Sequence, residues 1–308
     1  MSTNEPTIID EWITSSDGHS IFTKTWKPAG EVRATLVRLF ENPTLPSHSL
    51  IHGFGEHCAR YHHVTSEFAK IGILTHAFDQ RGFGETGRKS QSLGVTTGWK
   101  NVLRDVDEAL VRTKQPDIPQ YLFGHSMGGM IVLHYAAYGS HRLDLVDGVI
   151  ASAPLVTVLG GPPAPVVSLL KVVAEVVPSF QIKTDLPPTY ISRCEEQVAK
   201  YASDPLVHNL AGLKSAKDML HNGKALLTKK LTCTITQPLL QAHGTDDKIN
   251  SFDDSKNAFD LYASTDKTWK TYDGCYHELH NEPEVDRNDV IRIYVEWLDG
   301  QIIQNGKK

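Results

Sequence analysis

The sequence predicts an α/β architecture: a mostly parallel central sheet flanked by helices, with a helical cap inserted after the sixth strand. Three observations lead there. Short apolar runs alternate with helical patterns from residue 58 to 153 and again from 238 to 299, and such alternation implies parallel strands joined by crossover helices. Between these blocks, residues 155–231 are rich in Pro, Val and Leu and contain no clear strand. A glycine-flanked serine also stands between an apolar strand and an apolar helix, at the strand end where open α/β sheets carry their chemistry.

Residues 7–14 and 20–27 alternate as strands do, and Ser15-Ser16-Asp17-Gly18 between them is turn chemistry, so the pair reads as an antiparallel hairpin. Ala34–Leu39 and Leu50–Ile51 read as one buried strand that has been interrupted. The intervening Arg38–Ser49 (RLFENPTLPSHS) holds two prolines and several polar residues, which do not fit inside a buried central strand. It is expected to bulge out as a loop insertion that tolerates deletion. Next come a helix over 58–70, a strand over 73–79, a helix over 98–114, a strand over 120–125, a helix over 127–139 and a strand over 146–153. Alternation resumes with a strand over 238–243, a helix near 252–263, a strand near 267–272 and a last helix near 284–299. The expected division is therefore a sheet core of residues 1–154 and 232–308, with residues 155–231 as the cap.

Within the cap, residues 162–180 carry Val166, Val167, Leu169, Leu170, Val172, Val173, Val176 and Val177, with Lys171 and Glu175 as an i,i+4 pair. A helix this apolar has two destinations. It packs wholly into the core, or it forms a lid that walls an acyl tunnel and turns its outer side to a membrane or lipid droplet.

Of the 308 residues 40% are hydrophobic and 22% charged, the balance of a soluble globular chain, and the net charge of -5 gives no basic surplus for nucleic acid. Cys58, Cys194, Cys233 and Cys275 form neither a CxxC pair nor a zinc spacing. The polar, acidic N-terminus lacks a basic-then-apolar leader, and no apolar run approaches the roughly 20 residues needed to span a bilayer. These features predict a cytoplasmic protein with reduced thiols, in contact with lipid droplets or membranes at most peripherally.

The strongest chemical signal is Gly124-His125-Ser126-Met127-Gly128, which follows the apolar run YLF and opens the apolar helix MIVLHYAAY. G-x-S-x-G in strand–turn–helix context is the nucleophile elbow, and the elbow in turn predicts an α/β-hydrolase fold. Such a serine needs a histidine base and a carboxylate to orient it, in the chain order Ser, Asp, His. The run PLLQAHG leads into Thr245-Asp246-Asp247, and after the next strand comes Asp273-Gly274-Cys275-Tyr276-His277. The candidate triad is Ser126, Asp247 and His277. Of the two adjacent acids only one can face the histidine, because neighbouring side chains of an extended chain point apart. His52-Gly53-Phe54-Gly55-Glu56-His57 follows another strand end, and its glycines let the backbone approach an oxyanion. The backbone N–H groups of Phe54 and Met127 are the candidate hole. His277-Glu278-Leu279-His280 lacks the HExxH spacing, so no metal and no cofactor are expected. Cys58 reads as a bystander thiol.

HGFGEH, FDQRGFGETGRK, GHSMGG, SAPLV, Ser203-Asp204-Pro205-Leu206-Val207 with Gly212-Leu213-Lys214, and GCYHELHNEPE together resemble the monoacylglycerol lipases, above all their fungal branch, from about residue 8 to 300. The resemblance implies a serine esterase that hydrolyses monoacylglycerol through an acyl-enzyme; the alternative is a lysophospholipase or a general carboxylesterase of the same fold. It carries the family's glycerol-facing residues onto Glu56, Arg60, Tyr201 and His280. The competing reading of Glu56 and Arg60 is a structural ion pair near the surface. The sequence departs from the family at Glu85-Thr86, where relatives often have serine, and at Asn250, where vertebrate relatives carry cysteine. Relatives also lack the interruption at 38–49.

Overall fold

The computed structural model describes residues 5–29, 47–138, 143–161, 164–184 and 186–305. The strands among them are β1 (Thr7–Thr14), β2 (Ser20–Lys27), β3 (Ser47–Ile51), β4 (Leu74–Phe78), β5 (Gln120–His125), β6 (Gly148–Ser152), β7 (Gln181–Lys183), β8 (Leu210–Gly212), β9 (Leu239–Gly244) and β10 (Lys267–Tyr272). The helices are α1 (His62–Lys70), α2 (Gly84–Ser90), α3 (Trp99–Thr113), α4 (Met127–Tyr138), α5 (Ala164–Val176), α6 (Glu195–Ser203), α7 (Leu213–Ala225), α8 (Lys229–Thr232), α9 (Phe252–Leu261) and α10 (Glu284–Asn305).

Eight strands form one sheet in the order β1-β2-β4-β3-β5-β6-β9-β10. The β1–β2 and β2–β4 pairs are antiparallel, and from β4 to β10 every pair is parallel. The period of two along each strand divides the core. Ile51, Leu122, Val149 and Leu239 face one side with Leu110 of α3, Leu133 of α4 and Phe259 of α9. Leu50, Phe123, Ile150 and Leu240 face the other, with Phe68 of α1 and Tyr294 of α10. Both faces are covered, which is why β5, β6 and β9 carry short apolar runs.

β3 overturns one expectation. Ser47, His48 and Ser49 are not loop but the first three residues of this central strand, buried between β4 and β5. Ser47 Oγ finds Gln120 Oε1 at 3.0 Å, while His48 lies edge-on to Phe68. Burial alone pushes the His48 imidazole down to about 3, so it is neutral at physiological pH. The rest of the interruption, with Ala34–Leu39, lies outside the described residues.

Between β6 and β9 lie α5 to α8 and a second small sheet, β7 antiparallel to β8. The sequence showed no strand there because three residues carry too little periodicity. α5 packs on α7, and Glu175 pairs with Lys217 of α7; the expected partner, Lys171, has a side chain outside the described set. No helix among the described residues is long and apolar enough to cross a membrane.

Candidate active site

The sheet delivers its functional loops at one edge: Phe54 after β3, Ser126 after β5, Asp247 after β9 and His277 after β10. Ser126 stands at φ +53°, a left-handed conformation that costs a non-glycine residue about 1–3 kcal/mol. The turn is tight enough to exclude side chains on both flanks. A Cβ on Gly124 would lie 2.2 Å from Gly128 O, and one on Gly128 would lie 2.0 Å from Ile51 O. Three bonds hold the strained residue: Ser126 N–H donates to Ser152 O at 3.0 Å, and its carbonyl accepts from Met130 N at 3.0 Å and Leu155 N at 2.9 Å.

Asp247 is buried and accepts four bonds. Its Oδ2 takes His277 Nδ1 at 2.7 Å and His243 Nε2 at 2.9 Å. Its Oδ1 takes the backbone N–H groups of Ile249 at 2.8 Å and Asn250 at 2.9 Å. Burial by itself would raise the carboxyl, but the His277 charge and the two imidazole bonds outweigh it and hold it far below the usual carboxylate range. For His277 the balance runs the other way. Burial would lower it, yet the charge and hydrogen bond of Asp247 keep the imidazole above its ordinary value. Among the described residues neighbouring His125 makes no hydrogen bond to a carboxylate, and burial pushes it down to about 4. Asp246 is exposed, with a contact to its own neighbour Thr245 at 3.3 Å, so Asp247 is the acid that faces His277.

Ser126 and His277 line one cavity of about 130 Å³. Among the described residues no hydrogen bond joins Ser126 Oγ to His277; the bond it makes is with Asn250 Nδ2 at 3.5 Å. Serine–histidine contacts of this kind commonly tighten only around a substrate. Phe54 and Met127 lie on the same wall, and Met127 opens α4, whose first N–H groups have no partner within the helix. Gly53 lets this wall close in: a Cβ there would meet Ser126 Cβ at 3.3 Å and Glu56 Oε1 at 2.7 Å.

The rest of the cavity is largely aliphatic, with Leu155, Val158, Leu186, Ile191, Met219 and Ile249. Besides the single polar residues Thr184 and Asn250, the wall carries one polar cluster. Glu56 accepts from Gly53 N and Tyr61 OH, each at 2.6 Å, and from Arg60 Nη1 at 2.5 Å. Arg60 forks onto Glu278 with two bonds of 2.7 Å and lies 4.7 Å from the Tyr201 ring centroid. Glu56, Glu278 and Tyr201 reach the cavity wall, whereas Arg60 is spent on two carboxylates behind it. Burial opposes the Arg60 charge, but Glu278 and Glu56 outweigh it and raise the guanidinium further. The Glu56–Arg60 pair therefore forms, but buried and three-membered rather than near the surface. His280 is buried off the cavity, stacked on Tyr61 at 4.7 Å.

Sequence reasoning gave no role to three side chains of this site: Glu278, His243 and Asn250, the last noted only as a departure from vertebrate relatives. Glu278 was visible in an unproductive metal pattern and inside the motif GCYHELHNEPE, neither of which gave it a role. His243 lies four residues before Asp247, but a strand-end histidine gives no sign of what it faces.

A family model described as serine aminopeptidase, S33, matches residues 48–284. A Schizosaccharomyces pombe protein with a provisional monoglyceride lipase name is 36% identical over 253 residues, covering 80% of this chain and 66% of that protein, so the chain spans just under two thirds of it. The monoacylglycerol lipase of Mycolicibacterium smegmatis is 32% identical over 270 residues, covering 87% of this chain and 89% of that one. The crystal structure of a soluble variant of monoglyceride lipase from Saccharomyces cerevisiae, in complex with a substrate analogue, superposes with a TM-score of 0.80 at 28% identity, over 98% of this chain and 96% of the other. Fold, site geometry and these likenesses agree: the chain belongs to the monoacylglycerol lipase family of the α/β-hydrolase superfamily.

Proposed function

We propose that this protein is a carboxylic ester hydrolase that cleaves monoacylglycerol to fatty acid and glycerol. Ser126 is the nucleophile. His277 accepts its proton, Asp247 fixes the imidazole tautomer and stabilises the imidazolium, and the N–H groups of Phe54 and Met127 receive the oxyanion. Deacylation repeats the sequence with water as nucleophile. Residues 155–231 act as the cap. The observation that carries this reading is the composition of the cavity on Ser126: a mainly apolar wall with a cluster of hydroxyl and carboxylate groups, Tyr201, Glu56 and Glu278, which suits an ester with an acyl chain on one side and a neutral polyol on the other.

The same cluster argues against a lysophospholipid. Glu56 and Glu278 face the cavity, and the cation beside them is already shared between the two, so a phosphate would be repelled. The outer face of α5 and the segment after it expose Val172, Val176 and Phe180 at 66%, 78% and 61%, which supports peripheral docking of the cap on a membrane or droplet surface. A fluorophosphonate probe followed by peptide mapping tests the nucleophile, and turnover of monoacylglycerol against lysophosphatidylcholine tests the substrate. Labelling elsewhere than Ser126, or a preference for the phospholipid, would overturn the respective half of the reading.

A further inference from the structure

Asn250 follows the acid loop and touches three parts of the site at once. It is completely buried. Its backbone N–H donates to Asp247 Oδ1 at 2.9 Å. Its side-chain Nδ2 lies 2.9 Å from Ala153 O and 3.5 Å from Ser126 Oγ. The Ala153 carbonyl fixes which way the amide faces, because the flipped amide would set two acceptors against each other. Ala153 is itself at φ +43°, a second strained residue, and its N–H is tied to Ala242 O at 2.8 Å. With one Nδ2 hydrogen anchored on this carbonyl, the other is directed at the serine oxygen.

We infer that Asn250 is a further catalytic residue, an amide donor to Ser126 Oγ that favours the electron-rich form of this oxygen. The inference rests on the assignment of Ser126 as nucleophile. A bond from Asn250 occupies a lone pair of Oγ and leaves its hydroxyl proton for His277. In acylation Oγ forms its bond to the ester carbon, its proton passes to His277, and the carbonyl π pair moves onto the carbonyl oxygen. That pair then re-forms the carbonyl, the bond to the glycerol oxygen breaks with its electron pair, and this oxygen leaves with the proton from His277. In deacylation a water oxygen bonds to the acyl carbon and His277 takes its proton. The C–Oγ bond then breaks, its electron pair stays on Oγ, and Oγ recovers the proton from His277. Oγ is most negative at the start of the first half-reaction and at the end of the second. A donor bond is strongest to the most negative acceptor, so Asn250 stabilises these moments more than the acyl-enzyme between them, where Oγ is a poorly basic ester oxygen. A single well-placed donor to an oxyanion contributes about 10²–10³ in rate, and the longer contact here sets the expectation at about tenfold.

The test compares Asn250→Ala and the near-isosteric Asn250→Asp with the unaltered chain. The readouts are the rate constant of fluorophosphonate labelling, kcat and KM on a short soluble nitrophenyl ester, and the melting temperature. The expected result is labelling and kcat about tenfold lower in Asn250→Ala, lower again in Asn250→Asp, whose carboxylate opposes negative charge on Oγ, and KM within about twofold. Labelling and kcat at the unaltered rates in either folded variant would overturn the inference. So would a fall in melting temperature and a rise in KM with kcat unchanged, which is the signature of packing alone. Mapping the label in the unaltered chain separates the two levels: a label away from Ser126 sinks the assignment of the nucleophile, whereas a label on Ser126 that ignores position 250 sinks only the role of Asn250.

Discussion

At residue scale the decisive contrast is between Asp246 and Asp247. They are adjacent and chemically identical, yet one is exposed and the other holds two imidazoles and two backbone N–H groups. Asp247→Asn should lower kcat about 10⁴-fold, because an amide there cannot hold the required tautomer or stabilise the imidazolium. Asp246→Asn should stay within about threefold; steady-state kinetics on a soluble ester distinguishes the two. The same carboxylate sets the pH dependence. The base must be neutral, so activity is lost below the imidazole pKa, and Asp247 holds that pKa above its ordinary value of about 6.5. The acid limb of kcat/KM should therefore fall at or above this value. It should move down in the residual activity of Asp247→Asn. A profile flat to pH about 5 would refute the histidine base.

At the scale of elements, the most instructive strand is β3. A loop between two halves of a strand could be removed, but Ser47, His48 and Ser49 pair with β4 and β5 at the centre of the sheet. Deleting 38–49 should therefore abolish soluble folded protein, since it removes three paired, buried residues from the middle of the core; expression and far-ultraviolet circular dichroism report the outcome. The cap helix offers the opposite case. Val172, Val176 and Phe180 are exposed, so changing all three to Ser should shift the melting temperature by little. If they dock on lipid, the triple variant should bind liposomes several-fold more weakly and turn over long-chain monoacylglycerol more slowly, with a short soluble ester unaffected. An equal loss on both substrates would remove the docking role.

At the scale of the whole molecule, the segment between β6 and β9, the proposed cap, is tied to the His277 loop. Arg193, from the segment between β7 and α6, forks onto buried Glu282 at 2.8 Å and onto Asp286. Glu282 in turn accepts the N–H of Tyr276, the residue before His277, at 2.6 Å. Nearby, Glu278 N donates to Ile191 O at 2.7 Å and Ser192 Oγ to Asn281 O at 2.7 Å. The proposed cap and the proposed base are thus held in one frame. Arg193→Ala leaves Glu282 buried without its cation and should destabilise the fold by about 1–3 kcal/mol, less than a fully buried pair because the arginine is a third exposed. It should also lower kcat by about tenfold with a smaller change in KM. Arg193→Lys should recover part of both, whereas an unchanged kcat in a destabilised variant would confine the pair to structure.

What the sequence alone determined were the features set by short-range sterics and period. The elbow is legible because Gly124 and Gly128 admit no other residue. The β1–β2 hairpin, β5 and β10 are legible because turn residues and apolar runs bound them closely. The proposed triad follows from the elbow by chain order. Tertiary structure decided whatever depends on partners distant in the chain. β3 is polar in sequence yet central, because its neighbours bury it and Gln120 satisfies Ser47. β7 and β8 are too short to show a period, and they exist because each supplies the other's hydrogen bonds. Arg60 turns inward because Glu278, 218 residues further on, meets it with a fork of two bonds. Asn250 and His243 reach the site through the folding of β9 beside β6. A glycine's constraint is written in its immediate neighbours. The contacts of a buried polar side chain exist only once the sheet has brought together segments that the sequence holds apart.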